Sequence, residues 1–146
     1  MTNLKIFYFD IKHAIEVHDW IILNSGGLEG QREINLLDSA LNHIQNDLYY
    51  PTFEEKLKHL ILAVNKFHPF CDGNKRSSLV LGAYFLELNG YDHCIDRFMF
   101  EMENIVVWLA QSKIDDKLLL DILKSIINED EFDESIKLRL FENIGF

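Results

Sequence analysis

Apolar residues recur along the chain at helical rather than strand spacing, and the breaks between periodic stretches fall at the few glycines and prolines. Ile11, Ala14, Ile15 and Ile22 form one stripe, which predicts a helix from about Asp10 to Leu23, stopped by Asn24-Ser25-Gly26-Gly27. A second amphipathic stretch starts near Arg32 or Glu33 and aims Ile34, Leu37, Leu41, Ile44 and Leu48 at the core. Asn46 to Pro51 is a polar and aromatic connection, a loop or a small hairpin, with Tyr49 and Tyr50 side by side. The third helix has a capping-box start, Thr52 with Glu55 three positions on, and places Phe53, Leu57, Leu60, Ile61, Val64 and Phe67 on one face. Pro69 disfavours helical backbone at the residue before it, so this helix ends at His68 or one residue earlier.

A fourth helix opens near Asn74 and runs to Asn89-Gly90, and its middle, Leu79 to Leu86, is apolar on every side. Such a helix has neighbours all round and is central. Beyond Asp96 the chain carries about three more amphipathic segments. These hold Ile105, Val106, Trp108 and Leu109; then Leu118, Leu119, Ile122, Leu123 and Ile126; then Phe132, Ile136, Leu140 and Phe141. The pattern predicts an all-α domain of six or seven helices around the helix at Asn74 to Asn89. With 146 residues and no linker, repeat or low-complexity tract, residues 1–146 read as one domain.

Composition narrows the function classes. A hydrophobic fraction of 48% supports a real core, and 24 acidic against 14 basic residues give a net charge of -10. That sign argues against a nucleic-acid partner and against anionic membrane surfaces. No run approaches the ~18 apolar residues of a membrane span, and Met1 to Phe7 lacks the layout of a signal peptide, so a cytoplasmic address is expected. Cys71 and Cys94 are too few for a disulfide framework and lack zinc-finger spacing, which suits a reducing compartment.

One loop concentrates chemistry: His68-Pro69-Phe70-Cys71-Asp72-Gly73-Asn74-Lys75-Arg76, at the junction of the third and fourth helices. A helix start presents unpaired N–H groups and the positive end of the dipole, and a glycine there lets those groups curl around an anion. Lys75 and Arg76 in a first turn oppose the dipole and each other, poor helix electrostatics unless an anion sits beside them. Asp72 is suited to a magnesium ion bridging phosphates, and His68 to taking a proton from a hydroxyl. A cradle, a metal carboxylate and a base describe phosphoryl or nucleotidyl transfer. The spacing is not that of a P-loop.

The segment His68 to Arg76 resembles the Fic motif H-x-F-x-[DE]-G-N-G-R, with Lys75 where Fic AMP-transferases carry the second glycine and Leu79 where they carry a further arginine. Both departures match the Doc branch, the death-on-curing toxins, with H-x-F-x-[DN]-[AG]-N-K-R. Upstream, His18-Asp19, Gly26 to Glu33 and Leu36 to Leu41 are similar to the N-terminal part of Doc-like proteins, so the likeness spans about Ile11 to Gly90. The resemblance implies a Fido fold and, for the Doc branch, a toxin of a toxin–antitoxin pair. Such a toxin transfers the γ-phosphate of Mg2+-bound ATP to a hydroxyl of a protein such as elongation factor Tu. By position, His68 is the base, Asp72 the Mg2+ ligand and Phe70 a core anchor. Gly73 and Asn74 are the anion hole, and Lys75 and Arg76 hold phosphates. The partners implied are a protein substrate and an antitoxin protein, and Tyr49-Tyr50-Pro51 falls where the family has its target-docking flap.

Two other readings of the same residues stand beside this one: an AMP-transferase, and a degenerate domain that binds a nucleotide or partner without turnover. Cys71 has no second histidine placed to activate it as a nucleophile. His13, His18, His43, His59 and His93 show no ligand spacing and read as surface or capping residues. Ser25 to Gly30 fits the string of the Fic inhibitory helix, but its three glycines oppose a helix; Ser125 to Asp130 keeps inhibition in cis open.

Overall fold

The computed structural model describes residues 5–145 and is all-helical, consistent with the Fido fold. The part of the N-terminal segment before Lys5 lies outside the described residues. Seven α-helices follow one another: α1 Ile11–Ser25, α2 Ile34–His43, α3 Phe53–Phe67, α4 Asn74–Leu88, α5 Ile95–Ala110, α6 Asp116–Asn128 and α7 Glu134–Ile144, with a 3-10 turn at Asp92–Cys94 before α5. Local chemistry sets several starts. Asp10, Thr52, Asp115 and Asp133 each accept, on a side-chain oxygen, the N–H three residues on. Among the described residues no helix is long and apolar enough to cross a membrane.

The centre is shared by two helices. α4 packs on α1, α3 and α5, as its apolar middle requires, and α3 packs on α2, α4, α5 and α6. Leu57, Leu60, Ile61 and Val64 of α3 meet Leu81, Phe85 and Leu86 of α4 in one buried cluster that also takes in Phe98, Met102 and Leu118, Leu119 and Leu123 of α6. Gly82 permits the close approach of α5, since a Cβ there would lie 2.7 Å from Phe98 Cζ. The α3–α4 pair therefore holds the loop between them, residues 68–73, on a rigid base.

Three expectations about helix faces need correction. Leu48 was placed on the buried face of the second helix, but α2 ends at His43 and Leu48 is 93% exposed. The chain turns because the buried Lys56 ammonium donates to Ile44 O and Asp47 Oδ1, both at 2.8 Å, which pins the turn under α3. Phe67 lies partly exposed at the last residue of α3, beyond the reach of the core, and Phe141 of α7 is 55% exposed because only Ile136 of that helix is buried.

Candidate active site

α3 stops where Pro69 requires it to. His68 closes the helix in left-handed backbone, φ 50° and ψ 58°, which turns its ring out of the helix and into the open. A non-glycine residue in that region is uncommon and costs about 1 kcal/mol or more, so the surrounding loop must hold it there. Phe70, with 0% of its surface exposed, supplies the anchor. Asn74 clamps the same residue from the next helix: its Oδ1 accepts the Phe70 N–H at 3.1 Å and its Nδ2 donates to the Phe70 carbonyl at 3.0 Å.

Gly73 caps the start of α4 in left-handed backbone, φ 76° and ψ 19°. The first intrahelical bond there is from Ser77 N–H to Gly73 O, so the N–H groups of Asn74, Lys75 and Arg76 are the ones the helix leaves without intrahelical partners. Asp72 stands next to them. Its Oδ2 accepts the Leu28 N–H at 3.0 Å and its Oδ1 the Gly73 N–H at 2.8 Å. These two amides, helped by Arg76 and His18, hold the carboxyl below the usual carboxylate range against a smaller opposing effect of burial. It is thus an ionised oxygen donor with lone pairs left over, of the kind magnesium takes in ones and twos alongside phosphate oxygens. Among the described residues no group of three or more His, Cys, Asp or Glu is placed to hold a metal ion.

A cleft of about 450 Å³, of ligand-binding size, gathers these groups: His68, Asp72, Gly73, Asn74, Lys75 and Arg76 line it, closed by Asn65 of α3 and Ala110 at the end of α5. All six sequence-predicted site residues therefore face one cavity, but they do not all stand as expected. Arg76 Nη1 donates to Ser25 Oγ at 2.8 Å and to Gly26 O at 2.9 Å, capping the C-terminus of α1. Asn74 faces the cleft with its backbone while its side chain serves the loop. The Gly73 N–H is held by Asp72. Lys75 Nζ has no protein acceptor among the described residues.

The segment after α1, Gly26 to Arg32, lies against the loop. Gln31 and Phe70 form an antiparallel bridge, with Arg32 N–H to Pro69 O at 2.8 Å and Cys71 N–H to Gly30 O at 3.0 Å. Gly27, at φ 124°, is needed there, because a Cβ would lie 2.8 Å from Asp72 Oδ2 and 2.9 Å from Ile22 Cδ1. Ser25 to Gly30 is accordingly a helix end and an extended strap, and the inhibitory-helix spelling has no helix to act from. Tyr49-Tyr50-Pro51 is elsewhere, at the far end of α3, a helix of 15 residues and about 22 Å. There the Tyr50 ring packs tilted against His59, with centroids 4.8 Å apart, and its hydroxyl lies 3.2 Å from His43 Nδ1. The strap beside the site is Gly26 to Arg32, not the tyrosine connection. Ser125 is buried against Arg97 and the Glu131 carbonyl, so the second inhibitory string does not line the cleft either.

Sequence reasoning missed Asn65 and Ala110, which close the cleft, and above all His18. His18 of α1 is 1% exposed, its ring lies flat on Phe70 with centroids 3.8 Å apart and planes 4° from parallel, and its Nε2 is 2.8 Å from the Asp72 carbonyl. The signal was present: position 18 falls on the apolar stripe of Ala14, Ile15 and Ile22, where a histidine is buried and must find a partner. A family model described as the Fic/DOC family matches residues 8–86, which takes in α1 to α3, the whole loop and α4 as far as Leu86. No curated protein matches the chain.

Proposed function

Since the chain belongs to the Fic/Doc family, we propose that it is a Doc-like protein kinase, transferring the γ-phosphate of Mg2+-bound ATP to a hydroxyl of a cytoplasmic protein of the elongation factor Tu kind. The observation that carries this reading is the convergence of His68, the ionised Asp72, the open N–H groups of α4 and the unpaired Lys75 ammonium on one cleft. His68 takes the hydroxyl proton on a ring nitrogen as the oxygen attacks the γ-phosphorus, and the bond to the bridging oxygen breaks to release ADP. Asp72 would hold a magnesium ion, whose chemistry there would be to offset charge on the phosphate oxygens. The α4 amides and Lys75 keep the phosphate chain in line; Arg76 supports them by tying α4 to the end of α1 rather than by reaching out itself.

The choice of branch rests on Lys75 and Leu79, which stand where AMP-transferases carry glycine and arginine. With Arg76 committed to α1, Lys75 is the side-chain cation left for a phosphate, which favours the branch that spells it so. A toxin of this type is silenced by an antitoxin protein covering the cleft, and a small adjacent gene is the expected source. The test is label transfer in a bacterial extract with ATP carrying label at the α or the γ position. Label from γ alone supports the kinase. Label from α alone replaces it with the AMP-transferase reading, which shares Gly73 and Asn74, and no transfer of either favours a binding domain.

A further inference from the structure

We infer that His18 is a positioning residue that fixes the orientation of the Asp72–Gly73 peptide, keeping its N–H on the Asp72 carboxylate and its carbonyl out of the cleft. The inference rests on the phosphate-transfer reading only for its functional consequence. A carbonyl oxygen can only accept, so at 2.8 Å the His18 Nε2 carries the proton and donates it to Asp72 O. This turns the carbonyl toward the buried α1 side. The amide of the same peptide, Gly73 N–H, points the opposite way and meets Asp72 Oδ1. The next residue is a glycine in left-handed backbone, the setting in which a peptide can rotate by half a turn at little steric cost. A rotated peptide would present oxygen to the phosphates and leave Asp72 without one of its two donors.

Among the described residues nothing else holds that carbonyl. Leu28 and Gly73 amides grip the carboxylate, and Asn74 grips Phe70, whereas Asp72 O accepts from His18 alone among the described residues. The ring is itself held in place flat against Phe70. One imidazole therefore both stacks on the anchor and sets the peptide, and the two roles can be separated. His18→Phe keeps an aromatic face for Phe70 and removes the donor. His18→Gln loses the ring but places an amide N–H the same number of bonds from the backbone as Nε2.

The experiment measures amide exchange at Gly73 by NMR and the binding of inorganic tripolyphosphate with magnesium by calorimetry, in wild type and both variants, with melting temperatures to confirm folding. The positioning role predicts slow Gly73 exchange in wild type and His18→Gln and fast exchange in His18→Phe. It also predicts an about tenfold weaker tripolyphosphate affinity in His18→Phe, the loss of one well-placed hydrogen bond, with recovery in His18→Gln. A purely structural, stacking role predicts the reverse order, with Phe nearest to wild type, and that order overturns the inference, as does equal Gly73 exchange in all three. If the exchange pattern holds while wild type binds no tripolyphosphate, the positioning role stands and the proposed phosphate chemistry fails.

Discussion

Asn74 offers the sharpest stability test of the loop, because one side chain makes both of the bonds that close it on Phe70. Asn74→Ala removes the acceptor for Phe70 N–H at 3.1 Å and the donor to Phe70 O at 3.0 Å, and leaves both backbone groups in a half-buried setting without replacement. Each such bond contributes about 1 kcal/mol net, so the loss is about 2 kcal/mol. For 146 residues, an unfolding entropy of about 2.1 cal/mol/K per residue gives about 0.3 kcal/mol/K, and the melting temperature falls by about 7 °C. Better helix propensity of alanine offsets only a few tenths of a kcal/mol. Thermal melting followed by circular dichroism, with a urea titration to check that the m-value is unchanged, reads the effect. A fall of less than about 2 °C would refute the clamp as the element that closes the loop.

Three further substitutions test other contacts. Gly82→Ala puts a methyl 2.7 Å from Phe98 Cζ and should cost about 1–3 kcal/mol by overpacking, measured by urea unfolding; a neutral result means α5 moves freely against α4. Asp72 has a folded-state pKa below its ordinary value of 3.8, so its bonds to Leu28 and Gly73 add stability above that pH and lose it as pH falls through the folded value. Asp72→Asn should therefore flatten the acid limb of a stability profile below about pH 4 and abolish magnesium dependence of activity. His59 has its pKa pushed below 6.5 by burial first, then by His43 and Lys58, so the folded state binds fewer protons than the unfolded one. Stability should fall as pH drops below about 6.5, and His59→Phe should remove that slope in melting curves taken at successive pH values.

Helix starts were legible because they are local: Thr52 caps three residues ahead of itself, and Pro69 stops α3 through its own neighbour. Helix faces near the ends were not. Periodicity continues past the last hydrogen bond, which is why Leu48 looked buried while Lys56, twelve residues from Ile44, had already turned the chain. The site shows the same division. Residues 68–76 are contiguous, and their chemistry could be read as a string. Contacts closing over fifty residues, His18 to Asp72 and Arg76 to Ser25 and Gly26, have no signature in spacing alone. The two cations at the start of α4 broke a rule of helix electrostatics, and the fold resolves half of the conflict itself. Arg76 lies on the carbonyl end of α1, whose dipole is negative there, and Lys75 alone is left for an external anion.

The net charge of -10 is compatible with that division, since the positive potential needed is confined to one helix start and one ammonium. The most direct measurement is the intact mass of a purified elongation factor Tu after incubation with this protein, magnesium and ATP, alongside His68→Ala. Wild type should add a phosphate to the target and His68→Ala none, with the melting temperature of His68→Ala at the wild-type value because the exposed ring contributes little packing. An added nucleotide would contradict γ-phosphate transfer, and phosphate transfer that survives His68→Ala would contradict His68 as the base.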